Sequence, residues 1–254
     1  MALFTGKHIV RLETADSTNQ VAQEMIGPEL PEGSVILTYH QTRGRGQQGN
    51  RWASPAGQNL TFSLVYYPLF LPVKDVFALS KVAALGVHAS LQALVPEQDV
   101  WIKWPNDLLL NGRKTAGILI ENQLQARGVA ATVIGIGLNV NQQVFTPDLP
   151  LATSLYQETS ESFDLERVLD VVLNEVERYY LLLRNGQRSL IDRAYLQALY
   201  QYQELTKVRI GTEVYMARIM GINSTGQLGI LVEDEPSIRY FAVKEVHVML
   251  PGEG

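Results

Sequence analysis

Arginines and glycines alternate in one short segment that contains few apolar residues. Three arginines, Arg43, Arg45 and Arg51, stand among glycines at positions 44, 46 and 49. Glycine lets the backbone approach a ligand closely, and backbone N–H groups together with guanidinium groups bind anions. The segment therefore predicts an anion-binding loop that can close over its ligand. A mobile surface loop or an RGG-like nucleic-acid contact would use the same residue types.

A second polar cluster follows a short apolar run. In the segment Lys103-Trp-Pro-Asn-Asp107, the proline ends the strand that begins at Val100, because proline cannot donate to a strand ladder. The pair Asn111-Gly112 is a strong hairpin-turn signal, and a hairpin would return Lys114 past Asp107. The pattern predicts a lysine and a carboxylate in one region, with an ordinary surface ion pair as the alternative.

Two further segments carry weaker signals. Glycine recurs at Gly135 and Gly137, which leaves one face of a strand bare, as when a ligand or another backbone lies against it. A bulge, or tight packing under a helix, would use the same pattern. The segment Asp16-Ser-Thr-Asn19 precedes a helical pattern over 21–26 and is, by itself, typical of a helix N-cap.

The hydrophobic pattern predicts the elements that position these segments. Strands are predicted at 35–39, 60–67, 100–104, 116–122 and 130–138, with 60–67 half-buried, and 41–58 is predicted to be a loop. Amphipathic helices are predicted over 75–94 and 164–183. Asp164 and Glu166 favour the first turn of the second helix, because acidic groups stabilise a helix N-terminus.

The pattern changes after about residue 200. Short strand patterns at 208–210, 214–222, 228–232 and 239–243 predict a compact all-β module of about fifty residues. We place the boundary between Leu199 and Leu205, which gives domains 1–201 and 202–254.

The composition excludes several kinds of site. The chain has 254 residues, of which 46% are hydrophobic and 19% charged, an ordinary globular balance. It contains no cysteine, which excludes disulfides, thiolate metal sites and cysteine nucleophiles, and its four histidines lack metal-ligand spacing. The net charge of −5 argues against non-specific nucleic-acid binding. Neither a signal peptide nor a membrane span is predicted, so we expect no nucleic-acid or membrane partner and a cytoplasmic location.

Taken together, these segments resemble the biotin protein ligases (biotin–acetyl-CoA-carboxylase ligases), which share a core with lipoate ligases. The matching segments, in order, are 16–19, 44–46 with Gly49 and Trp52, 103–107, 112–114, 116–121 and 135–139. The resemblance covers most of the first 140 residues, and the C-terminal module fits the family's small SH3-like domain. It implies an α/β (α+β) fold: a mixed-sheet catalytic domain of the biotin/lipoate-ligase type with an SH3-like C-terminal β-barrel.

The resemblance also implies roles for individual residues. Those implied to bind biotin are Ser17, Thr18, Gln41, Gly44, Arg45, Lys114 and Gly117. Those implied to bind ATP or the adenylate are Arg45, Gln47, Trp52, Lys103, Asn106, Lys114 and Asn139. Arg45 and Lys114 would meet the biotin carboxylate and the phosphate. Asp107 is our candidate for orienting the attacking amine or accepting its proton.

One departure from the family pattern concerns the anion-binding loop. Many relatives read GRGR, whereas Gln47 follows Gly46 here, so an arginine often assigned to holding the adenylate is missing. Arg51 or Arg43 is the expected substitute, or else the intermediate is held less tightly. No helix-turn-helix pattern precedes Asp16. The sequence therefore predicts the ligase without the DNA-binding domain of its bifunctional relatives.

The implied reaction has two steps. The biotin carboxylate attacks the α-phosphate of ATP, with Lys114, Arg45, backbone N–H groups and Mg²⁺ neutralising the charge. A lysine of biotin carboxyl carrier protein, an acetyl-CoA carboxylase subunit, then attacks the biotinyl-5′-AMP, and AMP leaves. The rival interpretations are a lipoate or octanoate transferase on the related fold, a nucleic-acid-binding protein and a scaffold protein. The sequence leaves open whether the chain forms a homodimer.

Overall fold

The computed structural model describes residues 2–126 and 128–253, without the side chain of Gln48. Met1, Arg127 and Gly254, which the predicted domain ranges include, lie outside the described residues. In chain order the elements are β1 Ile9–Leu12, α1 Thr18–Met25, β2 Ser34–Thr38, β3 Leu60–Tyr66, α2 Phe77–Leu94, β4 Val100–Lys103, β5 Asp107–Leu110, β6 Arg113–Gln125, β7 Gly128–Leu138, α3 Leu155–Thr159, α4 Leu165–Arg184, α5 Arg188–Ala198, β8 Leu205–Ile210, β9 Glu213–Ile222, β10 Leu228–Val232, β11 Arg239–Phe241 and β12 Val246–Val248.

The strands form two separate sheets. The first has the order β1-β2-β3-β7-β6-β5-β4, and it is mixed, since β1 and β2 are parallel while the other neighbours are antiparallel. The second, which we call the C-terminal sheet, is antiparallel and has the order β11-β10-β9-β8-β12. The expected α/β fold, with a mixed sheet followed by a small β module, is confirmed. The domain boundary after residue 201 stays a prediction.

Strand β3 is buried on both faces, so the prediction of a half-buried strand is wrong. All seven of its residues are buried. Phe62 and Leu64 belong to the core that includes α2, whereas Val65 packs in a second cluster with Ala22 of α1. The alternation in the sequence is real, but helices cover both faces of the strand.

The sequence predicted α2 to be an amphipathic helix. In the structure it is a core helix, covered on most sides. It packs on the sheet and against α4 and α5, which leaves it no broad solvent face. By length and composition alone, residues 73–94 could cross a membrane, yet 67% of the most apolar window is buried inside the protein. A buried core helix passes the same test, so this stretch is weak evidence of a span.

Helix α4 matches its prediction at both ends. Asp164 caps it, because the side chain accepts a hydrogen bond of 3.0 Å from the backbone N–H of Arg167. Helices α3 and α5 and the short strands β1 and β12 were not predicted from the sequence, whereas β5 is the first strand of the predicted hairpin.

Candidate functional site

Five strands of the mixed sheet each place one residue in a single row. Thr61 pairs with Gly137, Gly137 with Gly117, Gly117 with Asp107, and Asp107 with Lys103. Residues directly opposite each other in antiparallel strands point to the same face. The row therefore has two glycines at its centre and a carboxylate and a lysine at one end. This face carries the candidate site.

The hairpin between β5 and β6 brings a second lysine to the row. Asn111 and Gly112 form its turn with φ of 50° and 76°, the conformation that favours this residue pair. Lys114 Nζ lies 2.7 Å from Asp107 Oδ1, and the two side chains are 39% and 21% exposed. The predicted closeness is confirmed. Because both groups are partly buried at the head of a cavity, the pair is not an ordinary surface ion pair.

Lys103 is buried beside this pair. Burial lowers the pKa of Lys103, although the charges of Asp107 and Glu253 act in the opposite direction. Burial alone would raise the pKa of Glu253, but hydrogen bonds from the Leu250 N–H and His247, with the charge of Lys103, lower it. A lysine from the middle of the chain and a carboxylate near its C-terminus thus interact electrostatically at the edge of the site.

Arg45, in the glycine-rich loop, is held by bonds to two other segments of the site. Arg45 Nη2 lies 3.2 Å from Glu121 Oε2, and its Nε donates a hydrogen bond of 3.4 Å to Ser17 Oγ. The same Glu121 oxygen accepts from Asn19 Nδ2 at 2.8 Å. Asn19 and Glu121 stood in the matched segments without an assigned role, so the sequence offered a signal for both.

The first turn of α1 is capped from the loop rather than by its own residues. Ser17 occupies the predicted N-cap position, but its side chain makes no capping hydrogen bond. Instead the backbone N–H of Thr18 donates to Gln41 Oε1 at 2.8 Å. Ser63 Oγ donates to Thr18 Oγ1 at 2.8 Å, which links this corner to β3. The predicted residues Ser17, Thr18 and Gln41 therefore lie together, joined by Ser63, which the sequence analysis missed.

Trp52 covers the glycine floor. A Cβ added at Gly137 would lie 2.3 Å from Trp52 Cε2, and one at Gly117 would lie 3.1 Å from Trp52 Cζ3. The bare strand face predicted from the glycines therefore exists, and a side chain from the loop occupies it. Gly44 is buried and needs to be glycine for another reason, since its Cβ would lie 2.2 Å from the Trp52 carbonyl oxygen. The atom that would clash with a side chain at Gly44 thus belongs to the loop itself.

Arg43 and Arg51 were the two expected substitutes for the arginine that is missing at Gln47. Gln47 opens a short 3₁₀ turn, Gln47–Gly49, and both Gln47 and Arg51 line the cavity described below. Arg43 is not among the residues that line it, and its side chain is 77% exposed beside Asp16. Of the two expected substitutes, Arg51 lines the cavity and Arg43 does not, and the substitution itself stays a prediction.

The two asparagines assigned to the nucleotide side have different surroundings. Asn106 lines the cavity, and its Nδ2 donates to the Ile118 carbonyl at 2.8 Å, which fixes the segment that precedes β5. Asn139 is buried and donates to the Thr153 carbonyl at 2.9 Å. The structure places Asn139 below the site wall, as a support for the segment around Thr153.

These groups line a cavity of about 520 Å³, a size typical of small-ligand sites. The C-terminal sheet supplies part of its wall through Arg209, Val246 and His247. An adjoining cavity of about 580 Å³ opens beyond the Asp107–Lys114 pair. No motif in the sequence indicated Arg209 or His247, because their strands come near the row only through the packing of the two sheets.

Within residues 2–126 and 128–253, no group of three or more histidine, aspartate or glutamate side chains could hold a metal ion. The carboxylates near the floor, Asp107 and Glu121, are each paired with a cation. Such a site suits a magnesium ion that arrives with a triphosphate, because Mg²⁺ then needs only one or two protein carboxylates. A magnesium ion would therefore have to arrive with a phosphate ligand.

Two comparisons with known proteins define the family. Residues 12–141, half of the chain, match the model of the "Biotin/lipoate A/B protein ligase family". The "Biotin--[acetyl-CoA-carboxylase] ligase" of Paracoccus denitrificans is 34% identical over 222 residues, which cover 85% of this chain and 91% of that protein. The chain belongs to the biotin/lipoate A/B protein ligase family. The resemblance predicted from the sequence is confirmed.

Other members of the family are similar over different lengths. The "Bifunctional ligase/repressor BirA" of Bacillus subtilis (strain 168) is 36% identical over 178 residues, 69% of this chain and 54% of that protein. The chain thus matches about half the length of this relative. A solved structure, "Biotin protein ligase from Aquifex aeolicus in complex with biotin and ATP", has a TM-score of 0.79 and 25% identity, covering 96% of this chain and 99% of that one.

Proposed function

We propose that the protein is an ATP-dependent biotin protein ligase, which forms biotinyl-5′-AMP and transfers biotin to a lysine of a carrier protein. The observation that carries the proposal is the row Gly137–Gly117–Asp107–Lys103, with Lys114 bonded to Asp107 above it. A flat floor without side chains next to clustered cations suits an extended carboxylate lying beside a triphosphate. The names of the relatives support the same activity.

Biotin has a suitable site at the α1 side of the row. Ser17, Thr18 and Gln41 cluster there and offer the hydroxyl and amide groups that a ureido ring requires. The ring system would lie over Gly117, with its valeryl chain directed toward Arg45 and Lys114. Gly44 contributes by allowing the loop backbone to pass close to Trp52.

The nucleotide would lie toward Lys103 and the C-terminal sheet. The cavity is lined by Lys103, Lys114, Arg45 and Gln47, which can face phosphate oxygens. Asn106 shapes the wall from the segment before β5, and Trp52 can stack on the adenine when the loop moves. Asn139 acts from behind the wall through Thr153.

The first step joins two anions. An oxygen of the biotin carboxylate attacks the α-phosphorus, the bond from that phosphorus to the bridging oxygen breaks, and pyrophosphate leaves. Lys114 and Arg45 lower the barrier by neutralising charge on the attacking and departing groups, in a site that is partly shielded from water. In the second step the acceptor amine attacks the acyl carbon, and AMP leaves with the bonding electrons. No group of the enzyme becomes covalently attached.

The decisive experiment supplies biotin, MgATP and a biotin carboxyl carrier domain to the purified protein. We expect release of pyrophosphate and AMP, with labelling of the carrier that streptavidin detects. Absence of biotin-dependent exchange of labelled pyrophosphate into ATP would overturn the proposal. Octanoyl or lipoyl transfer to a carrier without ATP would instead support the transferase of the related fold. The proposed activity agrees with a cytoplasmic location and needs no nucleic-acid or membrane partner.

Biotin must displace Trp52 to reach the floor, so ligand binding should reorganise the loop. A mixed anhydride also requires exclusion of water, which an ordered loop provides. We predict that biotin with MgATP protects the bonds after Arg43, Arg45 and Arg51 from trypsin about tenfold or more, since proteolysis follows local opening. Fragments are measured by mass spectrometry over time.

Octanoate, which has a carboxylate but no ureido ring, is the control ligand for this digestion. With octanoate in place of biotin, we expect cleavage in the loop at the rate of the free protein. Equal cleavage rates with and without biotin would show that the loop does not close.

A further inference from the structure

A turn of the C-terminal sheet docks on the larger unit next to the candidate site. The turn, residues 223–227, joins β9 to β10, and we call it the docking turn. The indole Nε1 of Trp104 donates a buried hydrogen bond of 3.0 Å to the Gly226 carbonyl. Gly226 has φ of +88°, and a Cβ there would lie 2.4 Å from Phe77 Cδ2. The turn thus fits closely against two aromatic side chains.

Phe77, the first residue of α2, is itself held in place. Its ring makes an edge contact with the ring of Tyr195, with centroids 6.4 Å apart. Lys81 Nζ lies 5.8 Å from the centroid of each ring and is bonded to Asp192 at 2.6 Å. Helices α2 and α5 therefore present a fixed surface to the turn.

Hydrogen bonds within the docking turn fix its shape. Asn223 Oδ1 accepts hydrogen bonds from the backbone N–H groups of Thr225 and Gln227 at 3.1 Å and 3.0 Å. Gly226 N–H donates to the Asn223 carbonyl at 3.1 Å. These bonds direct the Gly226 carbonyl outward, where it meets Trp104.

Trp104 is the residue between Lys103, at the end of the row, and the segment that leads to Asp107. Close to this contact between the two sheets, Arg209 and His247 of the C-terminal sheet form part of the cavity wall. A hydrogen bond from Trp104 to the C-terminal sheet therefore ties together the two units whose side chains face each other across the nucleotide part of the cavity.

We propose that Trp104 is a positioning residue of the ligase: its hydrogen bond to the docking turn fixes the adjacent Lys103 relative to the wall contributed by the C-terminal sheet. The inference rests on the proposed function and adds a task for the C-terminal sheet within it. Biotin recognition, which relies on α1 and the loop after β2, does not depend on this bond. The rate of adenylation does depend on this hydrogen bond.

The test is Trp104→Phe, which keeps an aromatic ring and removes the N–H donor. We expect kcat for biotin-dependent pyrophosphate exchange to fall about fivefold to tenfold, the effect of one lost buried hydrogen bond, with the KM for biotin unchanged. The assay is run well below the midpoint of thermal unfolding. A residue with only a structural role would lower that midpoint and leave kcat unchanged.

Trp101→Phe is the matched control, because Trp101 lies on β4, the strand that ends just before Trp104, and is exposed. A second pair of variants acts from the other partner: Asn223→Ala should reproduce the loss, and Asn223→Asp, which retains the accepting oxygen, should restore it. If Trp104→Phe does not fold, the Asn223 pair decides alone. Wild-type kcat in Trp104→Phe, or an equal loss in Trp101→Phe, overturns the inference. An inactive wild-type protein would instead refute the proposed function.

Discussion

Replacing Lys114 with methionine lowers the rate of biotin-dependent pyrophosphate exchange by about 10²–10³-fold, the effect expected when one group that stabilises transition-state charge is removed. Lys114 Nζ lies 2.7 Å from Asp107 Oδ1 and 5.9 Å from the centroid of the Trp52 ring. It therefore stands between the carboxylate of the row and the loop that must close. Methionine keeps the length of the side chain and removes the charge.

The size of the effect follows from the surroundings of the other cations. Arg45 is bonded to Glu121 and Ser17 at the α1 end of the cavity, whereas Lys114 is paired with Asp107 in the row itself. Lys103 is buried, and burial lowers its pKa, so its positive charge is harder to maintain. Lys114, 39% exposed, has access both to solvent and to the row. Its loss removes the cation best placed to meet both anions.

Lys74→Met is the control for this prediction, since Lys74 is exposed on the 3₁₀ turn before α2. It should retain the wild-type exchange rate. Circular dichroism and thermal unfolding of both variants establish that they are folded. If Lys114→Met exchanges pyrophosphate at the rate of the Lys74→Met control, Lys114 has no part in adenylation.

The meeting of Lys114 and Asp107 could be predicted from the sequence because it depends on local chain geometry. The Asn111-Gly112 turn sets the register of β5 and β6, and the register places both residues near the row. The proline at position 105 and the glycines at 135 and 137 are equally local signals, whereas Gly117 was assigned only through the family resemblance. Short-range conformational preferences therefore predicted the floor of the site and one ion pair above it.

The remaining parts of the site depend on long-range packing. Glu253 faces Lys103, and His247 enters the cavity wall, only because the C-terminal sheet docks beside β4. The resemblance assigned Trp52 to the ATP or adenylate site, but the sequence did not indicate that it covers Gly117 and Gly137. The close contact at Gly44 arises within the loop, whose fold no periodic pattern describes.

Burial was misjudged for the same reason. The alternation in β3 correctly separates its two faces, but it cannot show that a helix lies on each. Helix α5 has only eleven residues, of which Ile191, Tyr195 and Ala198 are buried, and the sequence analysis did not predict it. Strands β1 and β12 have four and three residues, too short to show a period.

Replacing Asp107 with asparagine should separate the two steps of the reaction. The change keeps the shape of the side chain, removes its charge and leaves Lys114 without its carboxylate partner. Adenylation uses the lysine rather than the carboxylate, so pyrophosphate exchange should fall by less than about tenfold. Transfer from preformed biotinyl-5′-AMP should fall by about 10²–10⁴-fold, the range for loss of a positioned general base.

The reason lies in the acceptor. A lysine amine has an ordinary pKa of about 10.4, so near neutral pH nearly all of it is protonated and cannot attack the acyl carbon. A carboxylate at the entrance can attract the ammonium group, orient it and take its proton. Asp107 is suitably placed, because it ends the row and lines both the main cavity and the adjoining one. Asparagine can accept a hydrogen bond but cannot hold that proton.

The measurement is a single-turnover experiment in which isolated enzyme–adenylate complex is mixed with carrier, and biotinylation is followed by streptavidin detection. In the Asp107→Asn variant the rate should rise about tenfold per pH unit below the pKa of the amine, because the free-amine fraction rises in that proportion. The wild-type rate should depend less steeply on pH, since Asp107 lowers the barrier to deprotonation. Asp99→Asn, an exposed aspartate just before β4, is the matched control. Transfer at the wild-type rate and with the wild-type pH profile would remove Asp107 from the second step and leave the acceptor amine to lose its proton to water.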